Sequence, residues 1–387
     1  TGIHVRVLEE AEEARLTYLA VRDILEADGL LNARNVAVLE IGSGGTILLY
    51  LKNGKVTVAQ SFHGGVLRTR EMLEAGGGAG PRLKGLFKAY ASELVEQIQQ
   101  AIPREKVAAL VVMGAGVRFA AEQAAGEEQG PDPRVTRAPA ARLAELADQL
   151  APLPPDALVR RYKMTFQDAT AVAPGIMTIA QAARALKVRD VRIVQATLRD
   201  GLLRDMALRE HRSEGFEEQV VYSAEMLAAR YGAEPAHYRN VEAASLALFD
   251  ELQEEHQLHG HERLLLRCAA ILHDIGAHVN ARAHHKHSMY LIANSDLFGL
   301  TRHDMQLVAT VARYHRKAVP GPSHPEFAVL PLEDRMRVAK LAAILRVADS
   351  IERTPRDEPR RLSFRRDAER FGILVRDIEG FTMERLV

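Results

Sequence analysis

The chain has 387 residues, 47% hydrophobic and 26% charged, which is the balance of a globular protein too long for one ordinary core, so two or more domains are expected. A formal net charge of +0 excludes a global electrostatic case for nucleic-acid or membrane-surface binding, and no apolar run approaches the length of a membrane span. The single cysteine, Cys268, excludes an intramolecular disulfide framework and fits a reducing cytoplasm.

In chain order, Gly2 to Leu8 reads as a strand entered part-way, with no signal-peptide pattern before it, so the sequence is expected to be a piece of a longer protein. The run EEAEEARLTYLAVRDIL places Leu16, Leu19, Val21 and Ile24 at helical spacing behind an acidic first turn, where carboxylates suit the helix dipole. Asn35 to Ile41 is a buried strand that runs into Gly42-Ser43-Gly44-Gly45-Thr46. Such a turn is either a tight hairpin or a phosphate cradle, because without Cβ atoms its N–H groups can approach an anion. Strands Ile47 to Lys52 and Lys55 to Ser61 follow, joined by Asn53-Gly54, and then a helix from Leu83 to Ala101. Val107 to Met113 repeats the strand-to-glycine theme, ending in Gly114-Ala115-Gly116 before Arg118. After a polar loop over Ala124 to Pro133, helices are expected at Ala140 to Gln149, Asp156 to Tyr162 and, beyond Pro174, Gly175 to Leu186, with a strand at Asp190 to Gln195.

EEARLTYLAV, EIGSGGT, GAGVRFAA and TLRDGLLRDM, in this order, resemble the second lobe of exopolyphosphatases and guanosine pentaphosphate phosphohydrolases, which have the actin-like (ribonuclease H-like) ATPase fold. The resemblance implies that Glu13 is the base that orients water toward a terminal phosphorus, with Glu40 assisting. It also implies that Gly42, Ser43, Gly44, Gly45, Thr46, Gly114, Gly116 and Arg118 hold phosphates, and that Mg²⁺ sits in the cleft. Two positions depart from the family's pattern. Aspartate is usual where this chain has Glu40, a change that moves the carboxylate by about 1.5 Å, and serine is usual where it has Gly45. The first lobe with its own phosphate loop is also missing from these residues.

The second half reads as helical. Its organising stretch is Leu264 to Gly276, LLLRCAAILHDIG, an apolar helix ending in His273 and Asp274, two polar groups that a core does not accept without partners. His237 lies on the apolar face of an earlier helix, and Asp349 interrupts the apolar helix VAKLAAILRVADSIER. The order H, HD, D resembles the HD superfamily of metal-dependent phosphohydrolases, which implies that His237, His273, Asp274 and Asp349 bind one divalent cation, Mn²⁺, Fe²⁺ or Zn²⁺. HHKHSMYLIANSDLFGL and RYHRKAVPG look like the helical domain fused to exopolyphosphatases. From them His287 and His315 are candidates for a second metal site, and Lys286, Arg316 and Lys317 for phosphate oxygens. His284, His285, His256, His259, His261 and His278 are expected to be ordinary core or solvated residues.

The expected architecture is therefore multidomain α and β: an actin-like α/β lobe over 1–205, a linking helix over 206–232, an all-α HD domain over 233–356, and a basic C-terminal segment with a short β element over 357–387. The expected activity is metal-assisted hydrolysis of terminal phosphoanhydride bonds in polyphosphate or a phosphorylated guanosine nucleotide. The alternatives are catalysis by the helical domain alone or a sensor without turnover. A homodimer is expected from the resemblance, and a nucleic-acid or membrane partner is not.

Overall fold

The computed structural model describes residues 7–33, 35–75, 81–103, 105–126, 131–208, 214–316, 318–353, 358–367 and 370–375. The strand read over Gly2 to Leu8 lies almost wholly outside them. The chain divides into two compact units, Thr1–Ser213 and Glu214–Val387.

The first unit opens with α1 (Glu10–Ala27), whose buried face carries Leu16, Leu19, Val21 and Ile24, while the Glu12 carboxylate accepts the Glu9 N–H at 3.2 Å. A three-strand meander follows: β1 (Asn35–Ile41), β2 (Thr46–Lys52) and β3 (Lys55–Phe62). Then come α2 (Val66–Ala75), α3 (Pro81–Ala101), β4 (Ala109–Gly114), α4 (Val117–Ala124), β5 (Val135–Pro139), α5 (Ala140–Leu150), α6 (Pro155–Tyr162), α7 (Phe166–Ala185), β6 (Asp190–Val194) and α8 (Leu198–Leu208). The sheet order is β3-β2-β1-β4-β6-β5, with β1, β4 and β6 parallel and the outer strands antiparallel. Every residue of β1 is buried, as a central strand covered on both faces requires. Both glycine turns leave the sheet at the same end, one after Ile41 and one after Met113.

Three differences from the sequence reading have physical reasons. The segment Val135–Pro139 is an edge strand; its terminal proline is tolerated there because nothing pairs with it on the outer side. Helix α2 follows β3 directly. Helix α7 continues through Pro174, although proline cannot donate to the carbonyl of Thr170 four residues earlier. That carbonyl is satisfied instead by the buried Arg70, whose Nη1 donates to it at 3.2 Å.

The second unit contains α9 (Glu214–Arg230), α10 (Pro235–Glu251), α11 (Gln253–His256), α12 (Gly260–Leu272), a 3-10 turn (Ile275–His278), α13 (His284–Ala293), α14 (Arg302–Arg313), α15 (Pro325–Ala328) and α16 (Leu332–Ile351). A hairpin of β7 (Leu362–Asp367) and β8 (Arg370–Val375) completes it. From Leu264 to Leu272 only Arg267 is not fully buried, so α12 is apolar nearly all round. It packs against α9, α10, α14 and α16 as the central helix of the unit. Residues 209–213, between α8 and α9, and 376–387, beyond β8, fall outside the described set.

Candidate metal centre and phosphate loops

Helix α12 ends where its apolar run ends. His273 is fully buried, and Asp274 breaks the helix (φ −105°, ψ 3°) to start the 3-10 turn. Two donor groups meet on this corner. In the first, His237 from α10 places Nε2 3.2 Å from His273 Nε2. Asp274 Oδ2 lies 3.7 Å from both nitrogens, and Asp349 Oδ1 from α16 lies 3.7 and 3.6 Å from them. In the second, Asp274 Oδ1 lies 3.1 Å from His284 Nε2 and 3.5 Å from His315 Nε2, which are 3.2 Å from each other. Asp274 belongs to both groups, one oxygen to each.

The residues fit divalent cations. Donors placed tetrahedrally at about 2.1 Å from an ion stand about 3.4 Å apart, close to the spacings found here, whereas imidazole–carboxylate separations of 3.6–3.7 Å are too long for hydrogen bonds. Asp274 Oδ1 is buried and has no partner in hydrogen-bond geometry, although two imidazole nitrogens face it. Three Nδ1 atoms are engaged elsewhere: His273 with the Ala270 carbonyl at 2.7 Å, His315 with Ala312 at 2.7 Å and His284 with Ala281 at 3.0 Å. These three rings are thereby fixed with Nε2 turned to the cluster, the arrangement that metal-binding histidines use.

The electrostatics follow from crowding four imidazoles and two carboxylates. Burial disfavours charge on His273, but Asp274 and Asp349 more than reverse this and lift it to about 9. His315 is pushed down to about 3 by burial and then by His273, and His237 is lowered for the same two reasons. Asp274 beside His284 raises that histidine. Burial opposes ionisation of both carboxylates, yet the histidines around them hold Asp274 and Asp349 below the usual carboxylate range.

The cluster differs from the sequence reading at two residues. His284, expected to be a solvated loop residue, is buried at the start of α13 and faces Asp274. His287, one turn further on, is half-buried, and the two donor groups found among the described residues do not include it. Gly276 accounts for the choice. A Cβ there would lie 2.1 Å from the His284 carbonyl oxygen and 2.3 Å from the Ser288 nitrogen, so only glycine lets the turn after Asp274 rest on the first turn of α13. Arg316 is half-buried and close enough to oppose protonation of His284, Lys286 is exposed on α13, and Lys317 lies outside the described residues. Two of the remaining histidines have ordinary partners. His256 is a buried residue with Nε2 2.7 Å from the Phe249 carbonyl, and His261 meets Asp304 at 2.7 Å.

In the first unit the two glycine turns are joined through β1. Ala115 N–H donates to the Ile41 carbonyl at 2.7 Å, and Gly114 adopts φ +104°, where a Cβ would lie 2.3 Å from that oxygen. Ser43 and Gly44 form an exposed tip, whereas the Gly42 N–H is used inside the turn on Gly45 and the buried Thr46 hydroxyl donates to Gly64. Gly116 caps α4 in the left-handed region, and Arg118 is exposed in its first turn. Glu40, at the end of β1, is pushed up to about 7, first by burial and then by the charge of Glu13, which is itself raised by burial and Glu10.

A folded-state value raised above that of the unfolded chain means that Glu40 favours the fold most below about pH 4.5 and costs stability as pH rises through about 7. Glu40→Gln is therefore expected to stabilise the first unit by about 3 kcal/mol at pH 8 and by little at pH 4. Chemical denaturation of both proteins at the two pH values measures this, and an equal gap at both would refute the account.

Comparison with known proteins follows the same division. Residues 1–210 match the family model described as Ppx/GppA phosphatase family, and residues 221–375 match Ppx/GppA phosphatase, domain III. The guanosine-5'-triphosphate,3'-diphosphate pyrophosphatase of Photobacterium profundum is 24% identical over 349 residues, covering 88% of this chain and 65% of the relative. That of Aeromonas hydrophila is 24% identical over 353 residues, covering 89% and 66%. The chain thus spans just under two thirds of those relatives. Among solved structures, an Aquifex aeolicus Ppx/GppA family member aligns at 19% identity with a TM-score of 0.44, over 55% of this chain and 67% of that one. An exopolyphosphatase from Cytophaga hutchinsonii aligns at 17% and 0.42, over 53% and 65%. No described helix is long and apolar enough to cross a membrane.

Proposed function

Since the chain belongs to the Ppx/GppA phosphatase family, whose phosphatases are hydrolases acting on phosphoanhydride bonds, we propose that it is a metal-dependent phosphohydrolase removing terminal phosphate from polyphosphate or a pentaphosphorylated guanosine nucleotide. Its helical unit, over residues 233–356, is of the HD type and carries the chemistry. The observation that carries this reading is the six-residue donor set of His237, His273, Asp274, His284, His315 and Asp349, with Asp274 shared between two groups. A divalent cation bound there would supply Lewis acidity toward a phosphoryl oxygen and a water acidic enough to ionise near neutral pH.

The protein's own residues supply the rest. The backbone carbonyls that hold Nδ1 of His273, His284 and His315 keep those rings in place and prevent reorientation during turnover. Arg316, near enough to His284 to oppose its protonation, and the exposed Lys286 are assigned to the negative charge of a phosphate chain, Arg316 by paired N–H donors and Lys286 as a point charge. In the first unit, the glycine turns and Arg118 are assigned to holding phosphates.

A second reading places water activation at Glu13 and Glu40, and it is favoured by the elevated Glu40, a carboxyl held at a value suited to proton transfer near neutral pH. Phosphate release from tripolyphosphate separates the two. With Glu13→Gln it is expected to stay within about threefold of the parent, and with Asp349→Ala to fall by about a hundredfold or more. The opposite pattern would move the chemistry to the first unit.

A further inference from the structure

At the sheet end opposite the glycine turns, the first unit has a second collection of cations that the proposed hydrolysis leaves unused. A cleft of about 770 Å³ opens there, lined by Lys106, Arg137, Arg142, Lys187, Arg189 and Arg192; Asp190 is the one carboxylate among its described lining residues. The residues come from the segment entering β4, from β5 and α5, and from the turn and first residues of β6. The glycine turns follow the other ends of β1 and β4, about 20 Å of strand away.

The cations are only partly neutralised. Asp28, its side chain 0% exposed, serves two of them at once, Arg192 at 3.3 Å and Arg137 at 3.7 Å. Arg142 donates to the Ala125 carbonyl at 2.6 Å, which leaves its charge uncompensated. Lys106, Lys187 and Arg189 are exposed and form no ion pair among the described residues. Like charges gathered around one concave surface raise its potential and repel each other, an arrangement that a multivalent anion relieves. The described lining residues include no aromatic ring on which a nucleobase could stack, so they offer charge to phosphates and nothing to a base.

We propose that this cleft is a binding site for a linear inorganic oligophosphate, separate from any site of hydrolysis. The inference goes beyond the hydrolase reading and does not rest on it, since the described lining residues include no histidine and no cluster of metal donors.

The test is calorimetric titration of the full chain in EDTA, with tripolyphosphate, guanosine triphosphate and a short oligothymidylate as probes. The parent is compared with a variant carrying Lys106→Ala, Lys187→Asn and Arg189→Ala; asparagine suits the left-handed backbone at position 187. Tripolyphosphate is expected to bind the variant at least about tenfold more weakly, with an unchanged thermal midpoint, and the affinity of the parent should fall as salt rises. Affinity in the variant within about twofold of the parent would overturn the proposal. So would tighter binding of the oligothymidylate or guanosine triphosphate than of tripolyphosphate to the parent, because either would mean a site that reads bases. A second variant, Arg142→Gln, checks the same cleft from α5 and should also weaken tripolyphosphate.

Discussion

Asp274→Ala is expected to strip divalent metal from the purified protein and to lower phosphate release by at least about a thousandfold. The expectation rests on geometry rather than on a count of ligands. Each Asp274 oxygen belongs to a different donor group, and among the described residues no other side chain is a member of both. Removing it leaves His273 fully buried with Asp349 as its remaining carboxylate neighbour, and leaves His284 and His315 facing each other with no carboxylate between them. Elemental analysis and a phosphate-release assay together check this. Asp349→Ala serves as the comparison, since Asp349 touches the first group and is expected to spare metal held by His284 and His315. Full activity with Asp274→Ala would show that the cluster is structural and would return the chemistry to Glu13 and Glu40.

Gly276→Ala is expected to have the next largest effect, and a more selective one. The added methyl would fall 2.1–2.8 Å from backbone atoms of His284, His287 and Ser288, none of which can move without shifting α13. Such overpacking costs about 1–3 kcal/mol, and the shift carries His284 away from Asp274. The first group draws on α10, the end of α12 and α16, and does not depend on α13. Metal content is therefore expected to drop from about two ions per chain to about one, with a lower thermal midpoint. Loss of both ions, or of neither, would contradict this division of the centre.

Much of this organisation is legible in the sequence because periodicity and polarity conflict at particular places. An apolar helix that ends in His273-Asp274 and another interrupted by Asp349 require polar partners, and this requirement links residues far apart in the chain. The strand-to-glycine units at Ile41 and Met113 are legible for a similar reason, since a fully apolar strand followed by glycines has few other readings. What local pattern does not contain is which histidine of His284, His285 and His287 faces the cluster. All three lie within one turn of helix, and the selection depends on how Gly276 seats the preceding turn, which is a tertiary contact. The course of α7 through Pro174 is hidden for the same kind of reason: the donor that satisfies the freed carbonyl is Arg70, about a hundred residues earlier. Strand β5 is short, lies at an edge and ends in proline, so it carries almost no alternation to read.

The anchoring of three Nδ1 atoms on backbone carbonyls bears on the proton inventory of the protein. With Nδ1 committed, each of these rings has only Nε2 with which to take up or lose a proton, and Nε2 is also the atom that faces the cluster. His273, held at about 9, enters neutral solution already protonated there, while His315, near 3, does not. A cation held by the first group would displace the proton on His273, so its loading would rise as pH approaches 9 and fall on acidification. Because the charge on His273 also depresses His237 and His315, discharging it eases both. Any cation held there would therefore be tied to the acidity of its surroundings through one buried ring.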